Sequence, residues 1–245
     1  MTTDQTPLTP IVPVAFGQRR QEVVARIKDY IVANSLKPGD PLPTETELCE
    51  AIGASRSSVR EAVKTLAALD IVEVRHGHGT FVGSLSLAAL VESLAFRGLL
   101  SGEDDHRVLG QVVEVRQTLE QGLSSQIINN TTRADHARLL DLAQEMVERA
   151  DRGEDFLEVD RQFHLKLMEP LGSDLLLQLT EAFWQVQAIV APTLRPEPPA
   201  HILTARLHVA IAEAIAQGDE SDLRTAIADH YAPVRSAIAQ AHRRG

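Results

Sequence analysis

Four residues in the later part of this 245-residue chain have the types and spacing to hold a divalent metal. Asp160 and His164 stand four apart in FLEVDRQFHLKLM, so on a helix they share one face. Leu157, Phe163, Leu165, Leu167 and Met168 surround the pair and turn that face inward. His208 lies within ARLHVAIAEAI and His230 within IADHYAPV, both among apolar neighbours. Three imidazoles and a carboxylate aimed at one cavity would ligate Zn, Ni, Mn or a similar ion. The alternative is four hydrogen-bonded core residues, the usual fate of a His on an apolar helix. His78, His106, His136, His201 and His242 fall in loops or near polar helix positions and are assigned no site.

A second set of residues could meet nucleic acid. The run LPTETELCEAIGASRSSVREAVKTLAALDIVEVRHGHGTFV spans Leu42 to Val82. Thr44 and Glu47 form a capping box ahead of a short helix, with Leu48, Ala51 and Ile52 on its apolar face. Gly53 ends that helix in a left-handed conformation, and Ser55 caps the next. The second helix buries Val59, Ala62, Val63, Leu66 and Leu69 and turns Arg56, Ser57, Ser58, Arg60 and Lys64 outward. Arg forks suit guanine, and Ser or backbone N–H groups suit phosphate. Ile71 to Val74 and Thr80 to Val82 then read as two short strands around a turn permitted by Gly77 and Gly79. This is the layout of a winged helix-turn-helix, which presents one helix to a major groove. A helix pair with a polar outer face also occurs in proteins that never touch DNA.

These sites need elements to position them. A helix at about 18–35 precedes the run, and Met1 to Gly17, rich in Pro and Thr, reads as a flexible arm. Beyond Gly83 and Ser84, a short linker, periodicity predicts helices at about 85–101, 107–128, 132–151, 155–171, 173–192, 199–217 and 219–242. The expected architecture is mainly α, a winged helix-turn-helix at 18–83 followed by an all-α antiparallel bundle of about seven helices at 84–245. The lone cysteine, Cys49, excludes an internal disulfide and reads as a small hydrophobe. No apolar run approaches a membrane span and no secretory signal is present, so a cytoplasmic protein is expected.

The net charge of −10 divides unevenly. Residues 1–83 carry 9 basic and 10 acidic side chains, and residues 84–245 carry 15 and 24. Attraction to phosphate must therefore be local, from Arg56, Arg60 and Lys64 against Glu61, and from Arg19, Arg20, Arg26 and Lys28. Arg116, in EVRQTLE, sits near Val112, Val115 and Leu119, which favours the buried side. It also stands four residues from Glu120, so a helix-surface ion pair is the plain alternative.

The pieces LPTETEL, GASRSSVREAVKTL and IVEVRHGHGTFV resemble the DNA-binding domain of the GntR family of bacterial transcription regulators. The resemblance implies that Arg56, Ser57, Ser58 and Arg60 face DNA and that His76 and Gly77 form the wing tip. Thr46 departs from the family, which often has Arg there. The pieces EVRQTLE and DRQFHLKL and the two later His resemble the FadR C-terminal ligand-binding domain. That resemblance implies metal ligation by Asp160, His164, His208 and His230, and an effector carboxylate on Arg116. It implies repression until a small carboxylate releases the protein from double-stranded DNA; because one recognition helix reads too few bases and the basic patch is small, a dimer on a palindromic operator is expected. A metal-dependent enzyme fused to a DNA-binding module is the competing class, but no general base or nucleophile motif supports it, and a regulator whose bundle holds a metal only for structure is the other alternative.

Overall fold

The computed structural model describes residues 14–100, 106–190 and 198–244. They fall into two compact units that divide between Ala89 and Leu90. The first holds α1 (Val14–Ala33), α2 (Glu45–Ile52), α3 (Arg56–Ala68) and the hairpin β1 (Val72–Arg75) and β2 (Gly79–Val82). Helix α1 begins four residues ahead of expectation, and the rest of the proposed flexible arm, 1–13, lies outside the described residues.

Local chemistry sets these boundaries. The Thr44 and Glu47 capping box is formed, with the Glu47 carboxylate accepting from the Thr44 N–H at 2.8 Å. Gly53 closes α2 at φ 64° and ψ 40°, a conformation that favours glycine. The guanidinium of Arg26 on α1 donates to the Ile52 carbonyl at 2.7 Å, satisfying a carbonyl the helix end leaves open. Ser55 caps α3 by accepting from the Ser58 N–H at 3.3 Å. Ile27, Leu48, Val59, Ala62 and Leu66 fill the core, and Cys49 packs half-buried against it. Two residues of the expected apolar faces are exposed, Ala51 and Leu69. Leu69 is the C-cap of α3, at φ −100° and ψ 6°, outside the helical turn that carries the apolar face.

The strands pair antiparallel, with Val72 opposite Val82 and Arg75 opposite Gly79. Three residues, His76 to His78, make the wing tip, closed by the His78 N–H donating to the Arg75 carbonyl at 2.9 Å. Residues 39–42 line the other edge of β2, with the Leu42 N–H donating to the Thr80 carbonyl at 2.8 Å. The exit from the wing is tightly held. Gly83 is buried, and a Cβ there would lie 2.2 Å from the Asp70 carbonyl oxygen. The Asp70 carboxylate also accepts from the Ser86 N–H at 2.9 Å. Gly83 and Ser84, the expected short linker, are thus packed against Asp70.

The second unit holds α4 (Ala88–Leu100), which begins at the boundary, then α5 (Arg107–Gly122), α6 (Ser124–Asn130) and α7 (Arg133–Asp151). After these come α8 (Leu157–Met168), α9 (Asp174–Val190), α10 (Pro198–Gln217) and α11 (Glu220–Arg244). The bundle packs α7 on α8 and α10, α11 on α5 and α10, and α9 on α5 and α8. Its core includes Leu109, Ile127, Leu139, Met146, Phe163, Leu167, Ile211 and Leu223. The expected helix over 107–128 is two helices. Leu123, at φ −98° and ψ 3°, follows Gly122, a weak helix former, and breaks the run.

Helix α8 is tied to α7 in its last turn, just beyond the site it carries. Lys166 bonds the Asp135 carboxylate at 2.7 Å, and that carboxylate also completes the α7 capping box by accepting from the Thr132 N–H at 3.0 Å. The Lys166 ammonium and the Thr132 donors hold the Asp135 carboxyl down to about 2 from an ordinary 3.8. A depressed carboxyl contributes stability that is present above 3.8 and lost as pH falls toward 2. Both side chains keep some solvent contact, so Asp135→Asn should cost about 1 kcal/mol at neutral pH. Denaturant melts from pH 7 to pH 2.5 should show that deficit shrinking below about pH 4.

Candidate metal centre

Helix α8 brings Asp160 and His164 to one buried face, as their spacing requires, and α10 and α11 deliver His208 and His230 to the same point. One ligand atom from each of the four lies within 4.8 Å of every other. His208 Nε2 is 2.8 Å from Asp160 Oδ1, His164 Nε2 is 3.3 Å from the same oxygen, and His164 Nε2 is 3.2 Å from His230 Nε2. A tetrahedral ion with ligands at about 2.0–2.1 Å separates them by about 3.4 Å. All four residues are buried, with His164 and His208 at 0% exposure, His230 at 6% and Asp160 at 9%.

Proton positions decide what the cluster can hold. The Nδ1–H of His164 donates to Glu120 Oε1 at 2.8 Å, and the Nδ1–H of His208 donates to the Thr204 carbonyl at 2.9 Å. Each ring then turns a bare Nε2 lone pair inward, where Asp160 Oδ1 already supplies acceptor density. Acceptors facing acceptors across about 3 Å repel unless a cation or added protons stand between them. These residues therefore fit a divalent ion, and Glu120 and the Thr204 carbonyl are the outer groups that orient two of its ligands.

The electrostatics favour the ligating forms of Asp160 and His230 and the protonated form of His164. Burial alone would raise Asp160, but the adjoining His208 and His164 outweigh it and hold the carboxyl well below the usual range. Burial, with His208 and His164 beside it, pushes His230 well down, so its ring stays neutral. Burial works against the charged form of His164, but the Glu120 carboxylate prevails and raises it, so protons compete with metal there first.

Arg116 lies beside the cluster on α5 and is 4% exposed. It does not pair with Glu120. Its Nη1 donates to Gln187 Oε1 at 2.7 Å, and its guanidinium lies 4.4 Å from the Trp184 ring centroid and 5.5 Å from that of Tyr231. Glu120 instead accepts from His164 and from the Tyr231 hydroxyl, the latter at 2.8 Å. Val115, expected to flank Arg116 on the buried side, is 44% exposed, whereas Val112 is buried. Sequence reasoning missed Glu120, Thr204, Trp184, Gln187 and Tyr231 as parts of this centre. The one available signal was that Glu120 shares the face of Arg116.

In the first unit, Arg56, Ser57 and Arg60 are exposed on α3 and Ser58 is half-buried. Arg60 is held by Glu45 of α2 through two bonds of 3.2 and 3.0 Å, so contact with phosphate would exchange one anion for another. Ser57 and Ser58 hydroxyls lie 3.1 and 2.9 Å from that of Ser55. His76 and Gly77 sit exposed at the wing tip, with Gly77 at φ 77°.

Residues 19–82 match the model of bacterial regulatory proteins of the gntR family, and residues 111–233 match the FCD domain. The chain belongs to the GntR family of transcription regulators, in the branch with an FCD domain. It is similar to NedR of Micromonospora viridifaciens, named as a transcriptional regulatory protein, with 67% identity over 43% of this chain and 76% of NedR. It is similar to the HTH-type regulator LutR of Bacillus subtilis, with 30% identity over 83% of this chain and 93% of LutR. A solved GntR structure from Streptococcus agalactiae shares the fold, with a TM-score of 0.59, 22% identity and coverage of 89% of this chain and 99% of that one. Family and relatives are regulators, which sets aside the enzyme reading. Among the described residues no helix of this GntR regulator is long and apolar enough to cross a membrane.

His208→Ala should remove most bound metal from the purified regulator, and His164→Ala should do the same. At a free metal concentration a hundredfold above the dissociation constant, binding is worth about 2.7 kcal/mol, or about 5–10 °C in the melting of a unit this size. The half-buried His136 lies outside the cluster, so His136→Ala should keep both metal and melting temperature. Elemental analysis alongside thermal melts checks all three variants.

Proposed function

We propose that this GntR-family chain is a dimeric, metal-containing repressor of a metabolic operon, released by a small organic acid. Residues 18–83 bind double-stranded DNA through Arg56, Ser57, Ser58 and Arg60 on α3, with His76 and Gly77 of the wing at the adjacent minor groove. Residues 84–245 hold the metal and effector and form the dimer. One recognition helix reads too few base pairs for genomic specificity, and the local basic cluster is small, so two copies act on a palindrome. Repression is the sign that the family resemblance implies.

The observation that carries this reading is the buried Arg116 beside a four-ligand cluster. Zn, Ni or Mn held by Asp160, His164, His208 and His230 would supply positive charge and an oxygen-seeking centre when bound. Arg116 adds a planar fork suited to a carboxylate. Filling such a site favours one packing of the bundle. In a dimer that change alters the separation of the two recognition helices, to which a palindrome of fixed spacing is sensitive.

Gel-shift titration on the operator tests both halves. Arg56→Ala should weaken operator binding by about 1–3 kcal/mol per half-site and relax base preference at one position. Wild type should leave the operator when a cognate carboxylate is added to metal-loaded protein, and Arg116→Ala should stay bound. Unchanged affinity in Arg56→Ala would remove that residue from the DNA surface. Equal release of wild type and Arg116→Ala would remove Arg116 from the effector site.

A further inference from the structure

A carboxylate stands on the face of the first unit that presents α3. Glu45 opens α2, directly after its Thr44 cap, and Arg60 lies four residues beyond Arg56 on the same face of α3. Helix α2 packs on α3 and brings the two side chains together. The pairing uses one particular edge of the guanidinium. Arg60 Nε donates to Glu45 Oε1 at 3.2 Å, and Nη2 donates to Oε2 at 3.0 Å. This side-on grip leaves Nη1 and the second Nη2 proton as an end-on fork, with no other partner among the described residues. Hydrogen bonding to Arg60 holds the Glu45 carboxyl below the usual carboxylate range, and Arg56 nearby adds to the effect.

The pair contributes little to stability, because its side chains are 62% and 43% exposed. What it fixes is direction: two parallel bonds hold a long side chain that would otherwise sample many rotamers. Docking against DNA would exclude water and strengthen the grip. The grip also decides which part of DNA suits Arg60. Phosphate attracts arginine by net charge. Arg60 joined to Glu45 is a neutral pair, and the carboxylate would repel an incoming phosphate. The edge of guanine is uncharged and offers N7 and O6 to an arginine fork. It can be met end-on without displacing Glu45.

Resting on the reading of residues 18–83 as the DNA-binding unit, we propose that Arg60 reads a guanine with its end-on fork while Glu45 keeps its grip on the other edge. Glu45 is then a positioning residue for base recognition, although its own charge is one that DNA repels.

The test starts from duplexes that the full chain selects out of a library with a randomised core. The selected site and its single-base changes are then titrated by fluorescence anisotropy at several salt concentrations. Arg60→Ala should lower the preference for one guanine per half-site about tenfold or more. Glu45→Ala should lower the preference at that same position severalfold while total affinity holds or rises. Its affinity should also fall more steeply with salt, by about one unit of log–log slope per half-site, because the freed Arg60 takes a phosphate. Glu45→Gln keeps an acceptor and the side-chain length, so it should fall between, and it carries the test if circular dichroism shows Glu45→Ala unfolded. In the Glu45→Ala background, Arg60→Ala should cost little further preference. A Glu45→Ala or Glu45→Gln protein that gains affinity equally for every base would make Glu45 a mere repulsive charge and overturn the inference. So would an Arg60→Ala protein that loses salt dependence but no base preference, or a preference that needs Glu45 yet survives Arg60→Ala. These results leave the DNA-binding reading standing, whereas failure of the wild type to enrich any sequence would overturn both.

Discussion

Asp160 Oδ1 and the inward Nε2 atoms of His164 and His208 face one another in a buried cluster with His230 Nε2 beside them, and the rest of the bundle is arranged around that constraint. A buried carboxylate and three imidazoles cost free energy unless their lone pairs meet positive charge. The chain supplies part of the answer itself. Glu120 and the Thr204 carbonyl take the outer protons of His164 and His208, which leaves the inner nitrogens bare. Three helices, α8, α10 and α11, must keep their register for the four atoms to meet. An ion at that point would act as a cross-link among elements far apart in sequence.

The same constraint links the centre to its surroundings. Glu120 touches His164 on one side and Tyr231 on the other, and Tyr231 follows His230 directly on α11. Arg116 stands one turn before Glu120 on α5, lying against Trp184 of α9. Contacts to a ligand at Arg116 would therefore be felt by α5, α9 and α11 together. A regulator needs such an arrangement, in which a small molecule biases the packing of several helices at once.

Much of this was legible in the sequence where spacing carries geometry. Asp160 and His164 share a face because they are four apart on a helix. The capping box at Thr44, the left-handed Gly53 and the glycine-permitted wing are local rules that tertiary context leaves intact. What sequence could not supply was partner choice across elements. Arg116 and Glu120 read as an ion pair from their spacing, yet Gln187, 71 residues on, and His164, 44 residues on, are the partners they take. Glu45, to which the sequence assigned no role, reaches 15 residues ahead to hold Arg60. The break at Leu123 was also hidden, because Gly122 reads no differently from Gly110, which α5 carries without a break.

The most direct test of the metal centre is X-ray absorption at the zinc edge of the reconstituted full chain. Ligation by Asp160, His164, His208 and His230 predicts only nitrogen and oxygen scatterers at about 2.0–2.1 Å, with the outer-shell signature of about three imidazoles. A sulfur scatterer near 2.3 Å would place the ion at Cys49, and fewer than two imidazoles would dissolve the quartet as a metal site.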